Sequence, residues 1–319
     1  MRVGIVDSGV NCEAVKNMIE QRTFTNWDGS SVGDINGHGT MAAKMIEDFS
    51  EREIEIISAR IFDQTLATNI KTLISALEFL DTCDLNVIHM SISVSTVTIH
   101  DQLRKICNKI LKKGIKIVTS YSNKSNATAL EQVDGVIAVQ GEFFRNSCCY
   151  WYNDMSMQAV ADKSPMLVQC GDKWYRFYDG NSKAAALFTS HLIKCYDDSK
   201  QAFDMELLKC RAEKNIWEAH STFPLEVHGK NSVGTNEKFY GNVDVIDRVL
   251  VEAFEVQDKA VLYAQDWLSP PLAVNGTKAA RIIYLLEKEY HSKFDMKHVY
   301  LEDFYNHKMF EQFVKRNLG

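Results

Sequence analysis

Three short sequence motifs contain the residue types of an activated hydroxyl nucleophile. Asp7 follows the apolar run Val-Gly-Ile-Val, His38 lies in Asn-Gly-His-Gly-Thr, and Ser182 lies in Gly-Asn-Ser-Lys-Ala-Ala. A carboxylate can orient an imidazole and select its tautomer, and the imidazole can then take the proton of a hydroxyl group. The motifs together predict nucleophilic catalysis, in which Ser182 is the nucleophile, His38 the general base and Asp7 the residue that orients His38.

Each of these residues has a more ordinary interpretation when it is taken alone. An aspartate after a strand commonly closes a turn, and a serine at the start of a helix is commonly an N-cap. The case for chemistry therefore depends on the three motifs together. His89, inside an apolar run, is predicted to be a hydrogen-bonded core histidine, and His191 is predicted to be a packing residue.

The elements that must position these residues alternate along the first half of the chain. Apolar runs rich in β-branched residues predict buried parallel strands at residues 3–6, 54–61, 86–92, 115–121 and 135–139. Helical periodicity predicts helices at residues 41–49, 69–80 and 100–112. Strands that alternate with helices over short connections imply a doubly wound α/β fold, which places functional groups at the carboxyl ends of its strands.

The later part of the chain changes character twice. Residues 166–178 are predicted to form a hairpin with Gly171-Asp172 as its two-residue turn, followed by a helix over 182–195. Polar residues 196–241 are predicted to be a connector, although 205–217 has a helical pattern. Helices predicted at 243–254, 277–290 and 309–318 make a small all-α domain. The predicted domains are therefore 1–195, the connector 196–241, and 242–319.

Composition excludes several classes of protein. The chain has 319 residues, of which 45% are hydrophobic and 24% charged, and its net charge of -6 gives no general attraction for nucleic acid or anionic lipid. No run approaches the roughly 20 apolar residues of a membrane span, and a strand begins beside Met1 where a signal peptide would lie. We therefore expect a cytoplasmic protein without nucleic-acid or membrane partners. The eight cysteines lack metal-ligand spacing, so we expect reduced thiols and no metal site.

The three motifs, in the chain order Asp, His, Ser, resemble the signatures of the subtilisin-like (S8) serine protease family. The resemblance covers about residues 1–195. It implies a subtilisin-like doubly wound parallel sheet and a serine endopeptidase whose catalytic residues are Asp7, His38 and Ser182. It also implies that Asn123, in the loop after the strand predicted at 115–121, donates to the oxyanion together with the Ser182 N–H. No cofactor is implied.

The segment around residue 92 resembles the strand against which this family aligns its substrate. The resemblance implies that Ser91, Ile92 and Ser93 bind substrate. Ser93 and Val94 stand where the family commonly has glycines, which predicts a narrowed specificity pocket, and Asn181 and Lys183 flank the serine where the family has Thr and Met. These departures leave two alternatives open: a catalytically weak or inactive pseudoprotease that binds peptide as a scaffold, and an esterase or transpeptidase that uses the same serine.

Residues 272–290 resemble the modification loop and second helix of an acyl or peptidyl carrier protein. Asn275-Gly276 stands where a carrier protein has Asp-Ser, so no hydroxyl is available to carry phosphopantetheine. The resemblance implies a degenerate carrier-like domain that docks a protein partner, and a generic helical tail is the alternative. A cytoplasmic protease with such a tail resembles the proteases that remove leaders from ribosomally made, modified peptides. The predicted function is therefore cleavage of a specific precursor peptide.

Overall fold

The computed structural model describes residues 1–25, 33–62, 65–94, 98–124, 128–144, 146–213, 243–263 and 266–318. The chain forms two compact units. Unit 1 comprises Met1–Ser164, Gln169–Asp172 and Tyr178–Lys214, and unit 2 comprises Pro165–Val168, Lys173–Phe177 and Asn215–Gly319.

An eight-stranded sheet forms the centre of unit 1. Its strands are β1 (Arg2–Asp7), β2 (Met18–Thr23), β3 (Glu55–Arg60), β4 (Val87–Met90), β5 (Lys116–Ser120), β6 (Val136–Glu142), β7 (Tyr150–Asn153) and β8 (Gln158–Asp162). They lie in the order β2-β3-β1-β4-β5-β6-β8-β7, and every neighbouring pair is parallel except β7 and β8. The predicted doubly wound parallel sheet is thus confirmed.

Sequence periodicity predicted five adjacent strands and missed the edge strands β2 and β7 and the strand β8 that lies beside β7. The sequence of β1, β3, β4, β5 and β6 is a continuous apolar run because helices cover both faces of the sheet at these positions. Strand β2 is half exposed and carries polar side chains. Strands β7 and β8 are short and pair antiparallel at the other edge. Edge strands lack the apolar pattern because one or more of their sides face solvent.

Four helices pack against this sheet: α1 (His38–Phe49), α2 (Ile70–Thr82), α3 (Asp101–Lys112) and α4 (Gly180–Lys194). Helix α1 packs against α4, and α2 packs against α3. Asn69 caps α2 by accepting a hydrogen bond from the Thr72 N–H, which satisfies one of the free donors of the first turn. The apolar faces of α2 and α3 join the sheet in one large core that includes Leu73, Leu77 and Ile110.

The hairpin that precedes α4 differs from the prediction. Its strands, β9 (Met166–Gln169) and β10 (Tyr175–Tyr178), are separated by five residues, so the predicted two-residue turn at Gly171-Asp172 is wrong. The Gln169 amide donates to the carbonyl groups of Gly171 and Asp172, at 3.0 Å each. The Cys170 carbonyl accepts from Asn11 Nδ2 at 2.7 Å. These hydrogen bonds hold the backbone out of the two-stranded ladder, which a local turn pattern does not reveal.

Only part of the predicted connector is described. Residues after α4 form the short strands β11 (Tyr196–Asp197) and β12 (Ala202–Phe203), followed by the helix α5 (Met205–Arg211). The remainder of the predicted connector, and the predicted helical pattern beyond residue 213, lie outside the described residues.

Helix α4 is the most deeply placed helix of unit 1, with every residue from Asn181 to Ile193 buried. Its Lys183 is fully buried and pairs with Asp162 of β8, which is fully buried too. Asp162 also accepts hydrogen bonds from the Ser164 hydroxyl at 2.6 Å and from the Phe144 N–H at 3.2 Å. Burial lowers the pKa of the Lys183 amine, and the charge of Asp162 opposes that shift. The lysine therefore has its counter-charge inside the core.

Unit 2 has its own apolar core between three helices, α6 (Val243–Phe254), α7 (Gly276–Tyr290) and α8 (His307–Leu318). Trp267 is fully buried there, and its indole N–H donates to the Leu262 carbonyl at 2.8 Å. Three hairpin side chains belong to the same cluster, Leu167, Tyr175 and Phe177. Unit 2 therefore combines the C-terminal helices with most of the hairpin.

The first turn of α7 contains the position that a carrier protein would modify. Asn275 caps the helix by accepting from the Lys278 N–H at 3.0 Å. A Cβ atom on Gly276 would lie 2.2 Å from the Tyr175 carbonyl oxygen and 2.6 Å from the Arg176 Cα. The backbone of β10 thus closes this position to any side chain, so glycine is required there for packing.

No helix among the described residues is long and apolar enough to cross a membrane. None of the eight cysteines, all of which lie in the described ranges, forms a disulfide bond.

Breaking the buried ion pair of α4 is expected to destabilise unit 1. We expect Lys183→Met or Asp162→Asn alone to lower the free energy of unfolding by about 3–5 kcal/mol, since each leaves one buried charge without its partner. The double variant should recover at least half of that loss. Chemical denaturation of all four proteins measures this coupling, and single-variant losses below about 1 kcal/mol would contradict it.

A buried neutral histidine should make stability depend on pH. His191 Nε2 lies 2.9 Å from the Ser147 carbonyl oxygen, and burial lowers the pKa of the ring to about 4. Between that value and the ordinary pKa of about 6.5, the unfolded chain binds a proton that the folded chain does not bind. The free energy of unfolding therefore falls as the pH falls through this window.

His191→Gln keeps a side-chain N–H donor for the Ser147 carbonyl and cannot titrate. Denaturation curves measured between about pH 4.5 and 6 should show a slope lower than wild type by up to about 1.4 kcal/mol per pH unit. Above about pH 7.5 the two proteins should have parallel stability profiles. Equal slopes in the acidic window would show that His191 is not the titrating group.

Candidate active site

Asp7 and His38 form a hydrogen-bonded pair. Asp7 is the last residue of β1 and His38 is the first residue of α1. His38 Nδ1 lies 2.8 Å from Asp7 Oδ1 and 3.0 Å from Oδ2, and the carboxylate is fully buried. A carboxylate in this position requires the hydrogen on Nδ1, so Nε2 of the neutral ring carries the lone pair that a general base needs.

The pair depends on the close approach of α1 to the end of β1. A Cβ atom on Gly39 would lie 2.3 Å from the Gly9 carbonyl oxygen and 2.9 Å from the Asp7 Cβ. The Gly39 N–H instead donates to the Ser8 hydroxyl at 2.9 Å, and the Ser8 N–H donates to Asp7 Oδ1 at 2.7 Å. Glycine after the histidine therefore has a steric reason.

Sequence reasoning missed the residue that shapes the histidine turn. Asp34 is buried and accepts hydrogen bonds from the Gly37 N–H at 2.9 Å and from the Thr40 N–H and hydroxyl, both at 2.8 Å. Burial raises the pKa of its carboxyl group, which these donors oppose. The Asn11 side chain fixes the Asp34 backbone, because its Oδ1 accepts from the Asp34 N–H and its Nδ2 donates to the Asp34 carbonyl. An aspartate shortly before a helix start was the available signal.

Ser182 lies in the first turn of α4 and is 9% exposed. Together with His38, it lines a cavity of about 470 Å³. Gly180 begins the helix with φ of 75°, a left-handed conformation that favours glycine. The Ser182 N–H belongs to the first turn of the helix, where N–H groups have no acceptor within the helix. These groups point out of the N-terminus, which is the positive end of the helix dipole. The turn thus supplies a hydroxyl and a backbone donor together.

Asn123 lies beside the same turn. Its Oδ1 accepts a hydrogen bond from the Asn181 N–H at 2.9 Å. Because the oxygen of the amide is used in this way, its Nδ2 group is the side that remains to donate. Asn123 lines the cavity with Ser182. The neighbouring Asn126 lies outside the described residues.

The side chains beside Ser182 take structural positions. The Asn181 amide accepts from the Gly141 N–H at 2.7 Å and donates to the Tyr121 carbonyl at 3.2 Å, which ties the helix start to β6 and to the end of β5. Lys183 points into the core toward Asp162 and is not among the residues that line the cavity. The two departures from the family motif are thus packed on the sheet side of the helix.

The predicted substrate-binding segment also borders the cavity. Ser91, Ile92, Ser93 and Val94 all line it. The Val94 N–H donates to the Thr128 hydroxyl at 3.1 Å and its carbonyl accepts from the Ala129 N–H at 2.8 Å. The backbone of Val94 is therefore committed within the protein, and its side chain packs against the core of unit 1.

The cavity wall has little charge. Among the described residues that line it, His38 and Tyr121 have titratable side chains, and the others are apolar, hydroxyl or amide residues. No group of three or more histidine, cysteine, aspartate or glutamate side chains within the described ranges is placed to hold a metal ion. The arrangement offers a nucleophile, a base and two hydrogen-bond donors.

The two other histidines singled out in the sequence lie in the core. His89 hydrogen bonds with Thr189 and Ser91. His191 hydrogen bonds with the Ser147 carbonyl and stacks on Tyr150 with ring centroids 4.5 Å apart. The prediction of hydrogen-bonded and packed histidines at these positions is confirmed.

Comparisons with known proteins give a consistent fold. No protein-family model matches the sequence, and no curated protein matches it significantly. A cold adapted subtilisin-like serine proteinase of known structure matches with a TM-score of 0.51 and 17% identity, over 65% of this chain and 79% of that chain. The prenylagaramide maturation protease PagA matches with a TM-score of 0.50 and 16% identity, over 61% and 74% of the two chains. At these identities the likeness concerns the fold, and the chain has the subtilisin-like fold.

Proposed function

We propose that this protein is a subtilisin-like serine endopeptidase that cleaves a specific precursor peptide. The observation that carries the proposal is the hydrogen bond of buried Asp7 to His38 Nδ1, with His38 and Ser182 on the wall of one cavity. Three residue types that can make a nucleophile meet there from segments far apart in the chain. The hydrogen bond between Asp7 and His38, and the cavity that His38 shares with Ser182, support a catalytic role over three separate capping roles.

In the proposed acylation step, the Ser182 oxygen attacks the carbonyl carbon of the scissile peptide bond. His38 Nε2 takes the hydroxyl proton, and Asp7 stabilises the imidazolium that forms. The tetrahedral intermediate then collapses, its carbon–nitrogen bond breaks, and His38 gives the proton to the leaving amine. The product is an ester between Ser182 and the acyl part of the peptide.

Two donors support the proposed oxyanion site. Negative charge develops on the carbonyl oxygen of the substrate during attack, and donors aimed at that position lower the barrier. Asn123 offers its Nδ2 group because its oxygen is held by the Asn181 N–H. The Ser182 N–H offers the second hydrogen bond at the positive end of α4.

Water completes the cycle. Water attacks the carbonyl carbon of the ester while His38 takes a proton from it. When the ester bond breaks, His38 gives that proton to the Ser182 oxygen. The free carboxylic acid and the original enzyme result. The same ester would react with an amine, so hydrolysis requires that water reaches the cavity.

The chemistry of the cavity supports an uncharged substrate segment. Its described wall has apolar, hydroxyl and amide side chains, and no carboxylate or ammonium group faces a substrate residue there. The presence of Val94 on the cavity wall supports a narrowed space for the substrate residue. The maturation activity named for PagA, whose structure is similar over 61% of this chain, supports a precursor peptide as the substrate class.

Replacing the proposed nucleophile should abolish reaction at the site. We expect Ser182→Ala to lower kcat for a peptide or p-nitrophenyl ester substrate by about 10⁴-fold or more, and to remove labelling by an active-site fluorophosphonate. Ser190→Ala is a matched control, since it removes a buried hydroxyl from the same helix that donates only to the Leu187 carbonyl. The control should keep labelling and turnover within about twofold. Labelling that survives in Ser182→Ala would overturn the proposed nucleophile.

Replacing the proposed oxyanion donor should lower turnover selectively. Asn123→Asp keeps an oxygen that accepts from the Asn181 N–H but removes the Nδ2 donor. We expect kcat to fall by about 10²–10³-fold with a small change in KM, because the lost hydrogen bond forms mainly in the transition state. Steady-state kinetics and a thermal melt test this. Turnover within twofold of wild type in the folded variant would show that Asn123 only supports the turn.

A further inference from the structure

Tyr178 presents a buried hydroxyl group next to the proposed catalytic residues. It is the last residue of β10, four positions before Ser182, and is 3% exposed. Its ring meets the His38 ring edge-on, with centroids 5.6 Å apart and an interplanar angle of 88°. The hydroxyl oxygen is buried and makes no hydrogen bond with any described residue. A buried hydroxyl group without a hydrogen bond lowers the stability of the fold. A partner that appears only during the reaction would explain why the hydroxyl group is present.

Hydrogen positions in a nearby polar chain can be assigned by counting donors. The Thr189 hydroxyl donates its one hydrogen to the Ala185 carbonyl at 2.8 Å. The Thr189 oxygen lies 2.9 Å from His89 Nδ1, and because its own hydrogen is already used, it can only accept a hydrogen bond there. His89 therefore carries a hydrogen on Nδ1.

The other nitrogen of His89 is an acceptor. Burial lowers the pKa of this ring to about 4, so it is neutral at physiological pH and Nε2 has a lone pair. Ser91 Oγ lies 2.6 Å from Nε2 and must donate its hydrogen there. Once this hydrogen is used, Ser91 can only accept from any further group. The chain Thr189–His89–Ser91 thus ends in a fixed acceptor on the cavity wall.

Tyr178 is a donor that faces two hydroxyl oxygens. Burial and the charge of Asp7 raise the pKa of its phenol well above 10, so the phenol keeps its proton. The hydroxyls of Ser91 and Ser182 lie near enough to oppose that shift. Neither oxygen forms an aligned hydrogen bond with the phenol in the resting structure. The second oxygen, on Ser182, is the atom whose charge changes during reaction.

We propose that Tyr178 is a further catalytic residue, which donates a hydrogen bond to Ser182 Oγ when that oxygen leaves the acyl group, and that Thr189, His89 and Ser91 position it. The inference rests on the proposed function. During hydrolysis of the ester, the bond between the acyl carbon and Oγ breaks and its electron pair stays on Oγ. His38 returns its proton to Oγ, and Tyr178 keeps its own proton while its hydrogen bond stabilises the charge that develops there.

Tyr178→Phe tests this role because it removes the hydroxyl and keeps the ring beside His38. p-Nitrophenyl acetate has a good leaving group, so hydrolysis of the acyl-enzyme limits its turnover. We expect kcat to fall about tenfold, which is the effect of losing one hydrogen bond to a charged oxygen. The rate of fluorophosphonate labelling should fall by a comparable factor at an unchanged melting temperature, since attack by Oγ is the microscopic reverse of its departure and passes through the same partly charged oxygen.

Tyr290→Phe is the matched control. It removes the other described tyrosine hydroxyl that is buried without a partner, at the end of α7 in unit 2. It should leave kcat, KM and the labelling rate unchanged. The melting temperature of either variant should stay equal or rise, because an unsatisfied buried hydroxyl contributes nothing favourable to the resting fold.

Two results would overturn the inference while the proposed function stands. One is an unchanged kcat in Tyr178→Phe, and the other is a parallel fall of kcat, labelling rate and melting temperature, which indicates a packing role. Failure of the proposed function looks different: the wild-type protein would resist the fluorophosphonate, and Ser182→Ala would change no hydrolysis. That result would also remove the inference, since Oγ would then carry no acyl group.

Discussion

The candidate site depends on the close approach of α1 to the carboxyl end of β1. Only glycine fits at residue 39, because a Cβ there would lie 2.3 Å from the Gly9 carbonyl oxygen. This approach brings His38 Nδ1 to 2.8 Å from Asp7 Oδ1. A longer side chain would move the helix start away from the strand by more than a hydrogen bond tolerates. Burial of Asp7 on the sheet then gives the pair a low-dielectric surrounding in which its electrostatic interaction is strong.

Polar groups around the site are held mainly by backbone partners. Asp34 organises the turn before α1 through the N–H groups of Gly37 and Thr40, and Asn123 receives the Asn181 N–H at the start of α4. Each contact uses a donor that a helix start leaves without a partner. The side chains of the proposed active site are thus oriented by the same hydrogen bonds that satisfy the helix ends. Preorganised groups of this kind need no rearrangement when charge develops in a transition state.

The strand before the nucleophile belongs to two environments. Phe177 packs in the apolar core of unit 2, and the next residue, Tyr178, is buried beside His38 in unit 1. Gly276 leaves room for the backbone of the same strand within unit 2. Alternation of side chains along a strand explains how adjacent residues can serve different cores. Within unit 2, the C-terminal helices therefore pack against the residues of this strand up to Phe177.

The sequence by itself determined the parallel sheet, the helices between its strands and the three motifs at their junctions. Buried strands are continuous apolar runs and helices repeat their apolar residues, so β1, β3, β4, β5 and β6 with α1, α2 and α3 were predictable. Only the tertiary structure decided which hydroxyls and carboxylates meet. Tyr178 meets His38, and Thr189 meets His89, from segments distant in the chain, and no local pattern records these contacts. The edge strands and the hairpin turn were missed because solvent exposure and long-range hydrogen bonds, such as that of Asn11 to Cys170, override local preferences there.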